Sequence, residues 1–250
     1  MSDFIACEDR ALLGEHGLAS FEALWALKLE VVDEPNTERG GWSDVCRLEL
    51  GERAYYLKRQ SNHLTYSILH PFGEPTFARE FRNIQRYAAL RIPALQAAFF
   101  GERKVSGELR AVLLTHALDG WDDLYALYQR WGALSPEHRL ALLRASAELA
   151  RRLHDAGQLH GCFYPKHIFL RGDGGGCEAC LIDLEKTRPL LLGWRDRVKD
   201  LETLIRRADP WRREDIVTFV AVYLNMPLES AAVVQWMGLL DRRLHHKEAR

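Results

Sequence analysis

The sequence predicts an α+β chain of two lobes, a β-rich N-terminal lobe with one helix followed by a helical C-terminal lobe. Three observations predict it. Between residues 26 and 59, short runs in which apolar and polar residues partly alternate are separated by glycines, the period-2 signature of half-buried strands. One stretch, Thr76 to Leu90, instead places Phe77, Phe81, Ile84 and Ala88 at helical spacing. From residue 124 onward, helical spacing dominates. The N-lobe is accordingly assigned to residues 1–115, a hinge to 116–123 and the C-lobe to 124–250.

Taken in order, strands are expected at Ala26–Val32, Ser43–Leu50 and Ala54–Arg59, with Leu50-Gly51-Glu52-Arg53 as a hairpin turn. The amphipathic helix follows, with Arg79, Arg82 and Arg86 left for solvent and Pro93 just past its end. Strands at Ala97–Glu102 and Leu109–Leu114 flank a turn at Gly107, and Asp119-Gly120-Trp121-Asp122-Asp123 then breaks the pattern. Ser135-Pro136-Glu137 reads as a helix start, with Ser as cap and Pro at the first helical position. Ile168-Phe169-Leu170 and Cys180-Leu181-Ile182 flank a Gly-Asp-Gly-Gly-Gly turn like the arms of a hairpin. Helices at Glu214–Asn225 and Leu228–His245 close the chain, with His245-His246 at its frayed end.

A chain of 250 residues suits two small lobes, and 47% hydrophobic residues supply enough material for their cores. With 34 Lys and Arg against 35 Asp and Glu there is no global basic field, so no nucleic-acid partner is expected. Five scattered cysteines fit a reducing compartment rather than a disulfide framework. The N-terminus lacks the basic and apolar regions of a leader, and no uncharged run nears a membrane span. A cytoplasmic protein is therefore expected.

Phosphoryl transfer needs a cation on the donor phosphates, an acid to hold a metal and a loop that orients the acceptor. Each has a candidate. The loop Glu38-Arg39-Gly40-Gly41-Trp42-Ser43-Asp44-Val45 joins two strand-like runs, and its glycines would let backbone N–H groups approach phosphate, although an ordinary hairpin turn reads equally well. Lys58 ends the run Tyr55-Tyr56-Leu57-Lys58, and Glu80 lies on the amphipathic helix, an ordered lysine–glutamate pair of the kind that fixes a phosphate-binding cation. His160-Gly161-Cys162-Phe163-Tyr164-Pro165-Lys166-His167, then Ile182-Asp183-Leu184, lay out a polar loop followed by an acid after a buried strand. A cleft between the lobes is the expected ligand site.

These ordered motifs, with Gly73–Asn83 and Lys199-Asp200-Leu201, resemble the protein-kinase-like superfamily, and within it the bacterial lipopolysaccharide core sugar kinases and their InaA-like relatives. The similarity runs from about Gly40 to Leu204. The resemblance implies a protein-kinase-like fold with ATP and Mg²⁺ as cofactors. Nucleotide-binding residues would be Gly40, Gly41, Ser43, Val45, Lys58 and Glu80, with Lys58 on the donor phosphates and Glu80 holding it. Asp183 and His167 would bind the metal, and Asp200 would brace the catalytic loop. With His160 and Cys162, Asp183 and Asp200 make up the catalytic set. The implied acceptor is a heptose or Kdo-type sugar of the lipopolysaccharide core, or a lipid-linked sugar, met at the cytoplasmic side of the inner membrane through peripheral contact.

Three departures qualify this. Cys162 stands where the pattern has the aspartate that orients the acceptor hydroxyl, and a thiol of pKa about 8.5 is not a carboxylate at neutral pH. Ser43 replaces the third glycine, and Tyr56 takes the small-residue position that faces adenine in the family. Two readings follow from Cys162, a sugar kinase and a catalytically silent protein that regulates envelope biogenesis or a stress response. A third, a kinase of cationic small molecules, would rest on Asp119, Asp122 and Asp123. Beyond these, Cys177-x-x-Cys180 reads as incidental thiols. His63 and His70 lie in a loop that would overhang the cleft, and Arg206-Arg207, Arg212-Arg213 and Arg242-Arg243 form a solvated face or meet an anionic sugar or lipid surface.

Overall fold

The longest ladder is built from two nine-residue strands with apolar residues alternating over part of their length, Cys46, Leu48 and Leu50 on one and Tyr55 and Leu57 on the other, joined by a turn whose Gly51 adopts φ +59°. The structure, a computed structural model, describes residues 3–32, 34–37, 40–66, 70–173 and 175–248, apart from the side chains of 173 and 246–248. Glu38 and Arg39 of the glycine loop, Gly174 of the hairpin turn and the side chain of His246 thus lie outside the described residues. The chain divides into two compact units, Met1–Ala88 with Leu95–Asp119, and Ala89–Ala94 with Gly120–Arg250.

In the first unit, β1 (Phe4–Ile5), α1 (Arg10–Glu15) and α2 (Phe21–Ala26) precede the hairpin of β2 (Trp42–Leu50) and β3 (Arg53–Ser61). Then come β4 (Leu64–Thr65), β5 (Glu74–Pro75), α3 (Thr76–Ala89), β6 (Ala97–Val105) and β7 (Glu108–His116). The main sheet is antiparallel with strand order β1-β6-β7-β3-β2. Tyr55 and Leu57 of β3 face a core with Phe99, Val112 and Leu114, closed by Leu13, Leu18, Phe21 and Leu24 from the α1–α2 segment. The alternate residues Tyr56, Lys58 and Gln60 face the other way. On that side α3 packs through Phe81, which stacks on Phe100 at 4.4 Å and meets Phe4 at 5.0 Å.

Two features depart from the sequence expectation. Ala26–Val32 is not a strand: Ala26 ends α2, a helix started by Ser20, whose side chain accepts from the Ala23 N–H. Downstream, Val31 and Asn36 make isolated bridges to Cys46 and Ser43. Leu27 and Leu29 pack against the core while Val31 and Val32 are exposed, and the Trp25 and Leu27 carbonyls accept from Arg59 Nη1 rather than from a strand partner. One helix was expected in this lobe; α1 and α2 are additional, and they cover the sheet face opposite α3.

The second unit holds β8 (Asp122–Asp123), α4 (Leu124–Gln129), α5 (Pro136–Asp155), β9 (Gln158–Leu159), β10 (Ile168–Asp173), β11 (Gly176–Leu181), β12 (Arg188–Pro189), α6 (Trp194–Ile205), α7 (Arg213–Leu224) and α8 (Ala231–Glu248). Ser135 caps α5 by accepting from the His138 N–H, with Pro136 at the first helical position. The β10–β11 hairpin forms, extended by β8, while β9 pairs with β12. Leu149, Leu153, Phe163, Leu201, Leu204 and Phe219 are among the buried residues around which the helices pack.

A buried carboxylate ties α1 to the sheet. Asp9 accepts from Tyr55 Oη at 2.7 Å and Arg53 Nη1 at 2.9 Å, and lies 2.9 Å from His116 Nε2. Asp9→Ala leaves the buried Tyr55 hydroxyl unsatisfied and is expected to cost about 1–3 kcal/mol of unfolding free energy. In a double-mutant cycle by urea denaturation, adding Tyr55→Phe to Asp9→Ala is expected to cost less than Tyr55→Phe alone; additivity would refute the coupling.

Candidate active site

In the first unit, Lys58 Nζ lies 2.7 Å from Glu80 Oε1, with the glutamate almost wholly buried and the lysine mostly so. The ammonium also sits 5.9 Å from the Phe77 ring centroid. What aims Glu80 is Gln60, two residues along β3 on the same face. Its Oε1 accepts from Thr76 Oγ1 at 2.8 Å and from the Phe77 N–H at 2.7 Å, and its amide donates to the His63 carbonyl at 2.6 Å. Gln60 thereby caps the start of α3, and one turn later Glu80 meets Lys58. Val45 stands opposite Lys58 in the β2–β3 register, so the two side chains share a face. On the reverse face Arg59 grips Asp44 through two contacts, at 2.7 and 3.1 Å.

The glycine segment folds back on itself. Asn36 and Ser43 exchange both backbone hydrogen bonds, at 2.8 and 2.9 Å, and Gly40 takes φ +74° between them. Gly41 has a packing role: a Cβ there would overlap the backbone of Ser61, Asn62 and His63, so the end of β3 demands glycine independently of any ligand. Tyr56 is half-buried with the Arg47 guanidinium 6.0 Å from its ring, and Arg47 in turn grips Asp119 with two hydrogen bonds of 2.9 Å.

In the second unit, the loop after β9 is held by Asp200 of α6. This buried carboxylate accepts from the His160 N–H at 2.7 Å and the Gly161 N–H at 3.0 Å, and His154 Nε2 approaches it at 3.3 Å. Gly161 takes φ +79°, and a Cβ there would stand 2.8 Å from the Lys186 carbonyl, so glycine is required on both counts. His160 is fully buried. Its Nδ1 accepts from the Cys162 N–H at 3.3 Å, leaving Nε2 to donate to the Ile182 carbonyl at 3.0 Å. The histidine thus fixes the residue immediately before Asp183. Cys162 is buried, and its carbonyl accepts from His167 Nδ1 at 2.8 Å.

That last bond decides the tautomer of His167. A carbonyl can only accept, so the proton is on Nδ1, and burial holds the ring below its usual pKa and hence neutral. The Nε2 lone pair then points at Asp183 Oδ2, 3.2 Å away. Two acceptors facing each other at this distance suit a cation between them, and an imidazole nitrogen with a carboxylate oxygen fits a divalent metal. Asp183 carries a left-handed backbone, φ +56°, uncommon outside glycine and concentrated at functional positions.

The remaining candidates resolve differently. Cys177 and Cys180 lie three apart on a strand, so their side chains project from opposite faces and do not form a site together. His63 is buried and His70 lies 3.6 Å from Glu74. Arg206 and Arg243 both reach the buried Glu202, Arg213 pairs with Asp241, and Arg207 covers the Tyr164 ring at 4.2 Å, so these four arginines are engaged internally. Asp119 and Asp122 pair with Arg47 and Arg130, and Asp123 caps α4 at the Ala126 N–H, so each of these carboxylates has a partner within the protein.

The lipopolysaccharide kinase (Kdo/WaaP) family matches residues 22–223, most of the sequence. The chain belongs to that family. Protein InaA of Escherichia coli (strain K12) is 34% identical over 212 residues, covering 82% of this chain and 96% of that protein. The lipopolysaccharide core heptose(I) kinase WaaP of Pseudomonas aeruginosa is 26% identical over 260 residues, covering 94% and 93%. Among solved structures, WaaP in complex with acyl carrier protein superposes with a TM-score of 0.71 at 24% identity, over 98% of this chain and 99% of that one. The fold is protein-kinase-like, as expected from the motifs.

For a member of this family, the sequence reading overlooked the supporting side chains. In the first unit Gln60 caps the helix that carries Glu80, and in the second His154, with the Tyr223 hydroxyl 2.9 Å from its Nδ1, backs Asp200. Gln60 was visible as a polar residue beside Lys58, and His154 as a histidine on the apolar stripe of α5, but spacing alone assigned neither a partner.

Burial holds His160 below its ordinary pKa, so the native chain keeps it neutral. The unfolded chain takes up a proton there as pH falls through about 6.5, and binds more protons than the native state. Stability is therefore expected to fall below about pH 6.5, and less steeply in His160→Asn. Urea midpoints between pH 7.5 and 5.5, with chelator present, measure this; identical slopes in the two proteins would refute burial of His160 as a cause.

Proposed function

We propose that this protein transfers the γ-phosphoryl group of ATP to a hydroxyl of a lipopolysaccharide core sugar of the heptose or Kdo type. The observation that carries the reading is the Asp183–His167 pair, two potential metal-ligating atoms 3.2 Å apart, with His167 oriented by its hydrogen bond to the Cys162 carbonyl. A divalent cation bound there, Mg²⁺ by family resemblance, would neutralise charge on the donor phosphates.

The chain's own residues divide the remaining work. Lys58, restrained by Glu80, would offer its ammonium to donor phosphate oxygens, and backbone N–H groups around Gly40 to Val45 would add hydrogen bonds. Asp200 and His160 would hold the 160–167 loop rigid. In the transfer, the sugar oxygen bonds to the γ-phosphorus as its bond to the bridging oxygen breaks, and ADP leaves. With Cys162 in place of an aspartate, the hydroxyl proton would pass to a phosphoryl oxygen or to water. A loose transition state tolerates this, because little proton transfer is needed before the bond forms. Acyl carrier protein, with which WaaP was solved, carries over as a candidate protein partner.

Cys162 also supports a second reading, a catalytically silent binding protein of envelope biogenesis or a stress response. Transfer of labelled γ-phosphate from ATP to dephosphorylated core lipopolysaccharide separates the two. Asp183→Ala and Lys58→Met are each expected to lower transfer by at least about 100-fold. Cys162→Asp is expected to raise it by roughly 100-fold, the lower end of the range for an added general base. MgATP binding without transfer would favour the silent reading, and absence of both would overturn the nucleotide site.

A further inference from the structure

Contiguous exposed apolar side chains mark interaction surfaces, because water disfavours them. The segment between β12 and α6 is such a place: Leu191 is 75% exposed, Leu192 62% and Trp194 51%. Their exposure is built into the backbone. The Leu190 N–H donates to the Gly157 carbonyl at 2.8 Å, anchoring one end. Asp196, buried, accepts from the Leu191 and Leu192 N–H groups at 2.9 and 3.0 Å, and Arg188 grips the same carboxylate at 2.9 and 3.2 Å. This ion pair holds the Asp196 pKa well below the usual carboxylate range, so the clamp stays charged at neutral pH. The turn closes at Gly193, φ +53°, where α6 begins. A buried charge cluster thus holds two leucines in solvent.

The surrounding charge indicates what they meet. From Lys186 to Lys199 there are five cations, Lys186, Arg188, Arg195, Arg197 and Lys199, against the single acid Asp196, a local charge of +4 in a chain whose net charge is −1. Lys186, Arg195 and Lys199 are exposed, and the Arg195 guanidinium stands 5.5 Å from the Trp194 ring centroid. Three apolar side chains are too few for a protein interface of about 1,200 Å² or more. Exposed leucine and tryptophan side chains, with Arg195 beside the Trp194 ring and exposed Lys186 and Lys199 flanking them in sequence, instead match a shallow interfacial anchor on an anionic bilayer.

We propose that Leu191, Leu192 and Trp194 insert at the headgroup boundary of an anionic phospholipid membrane, with Lys186, Arg195 and Lys199 against the headgroups. The inference deepens the proposed function, on which its purpose rests: a lipid-borne sugar would be met at the surface where this loop docks. Docking itself needs neither ATP nor acceptor, so the two readings fail separately.

The test is co-sedimentation of the full chain with vesicles of phosphatidylethanolamine containing one third phosphatidylglycerol, and with phosphatidylcholine vesicles. Binding to the anionic vesicles is expected, weakened by salt and weak on the neutral ones. The double variant Leu191→Ser, Leu192→Ser is expected to lose about tenfold or more of the partition with an unchanged melting temperature, because both side chains are already exposed. Val234→Ser, an exposed residue of α8, is expected to bind like the unaltered chain. The proposal is overturned if the unaltered chain does not bind anionic vesicles at low salt, or if the double variant binds equally. It is also overturned if the chain is a lipid-free dimer that the double variant dissociates, which would assign the patch to a second copy.

Discussion

The carboxylate of Asp200 is the constraint on which the loop geometry of the second unit depends. Loop backbone between β9 and β10 has no ladder to satisfy its N–H groups, and buried donors left unpaired cost about 1–3 kcal/mol each. Asp200 takes two of them at once, from His160 and Gly161, and is itself backed by His154 and through it Tyr223. Once that end of the loop is pinned, His160 reaches the Ile182 carbonyl and the Cys162 carbonyl orients His167. Asp183 then has a fixed neighbour. Asp183 takes its left-handed backbone next to Ile182, whose carbonyl accepts from His160 and whose N–H donates to the His167 carbonyl.

The first unit follows the same logic with a neutral side chain. Gln60 satisfies the Phe77 N–H and the Thr76 hydroxyl at the start of α3 and a carbonyl of the preceding loop, so helix and strand are locked in one register. The Lys58–Glu80 pair depends on that register. Burying an ion pair brings little net stability, because desolvation offsets most of the attraction, but it penalises any arrangement that leaves one partner alone. Such a pair specifies where an ammonium sits more than it stabilises the fold. Asp196 serves its own loop similarly, with Arg188 as the partner.

The Cys162 side chain is not part of this frame. The contacts made at this position use its backbone N–H and carbonyl, which any residue supplies. An aspartate-to-cysteine difference there leaves the His160 and His167 hydrogen bonds available, and the framework of the loop does not depend on a carboxylate at 162.

The sequence by itself determined the elements whose signal is local. The alternation in Trp42–Leu50 and Arg53–Ser61, the helical stripe of Thr76–Ala89, the Ser135-Pro136 start of α5 and the β10–β11 hairpin all follow from periodicity and caps that neighbouring residues impose on one another. The motif residues Lys58, Glu80, His160, His167, Asp183 and Asp200 were legible because their order along the chain resembles a known family. Tertiary structure alone decided what Gln60, Asp9 and Asp196 do, why Gly41 and Gly161 must be glycine, and that Ala26–Val32 is not a strand. Each of those depends on partners brought close by folding. Asp9 meets Tyr55 across 46 positions and Gly161 meets Asp200 across 39, and no local pattern encodes separations of that size. The exposed leucines at 191 and 192 mark the same boundary, since an apolar run reads as core until the backbone that holds it outward is seen.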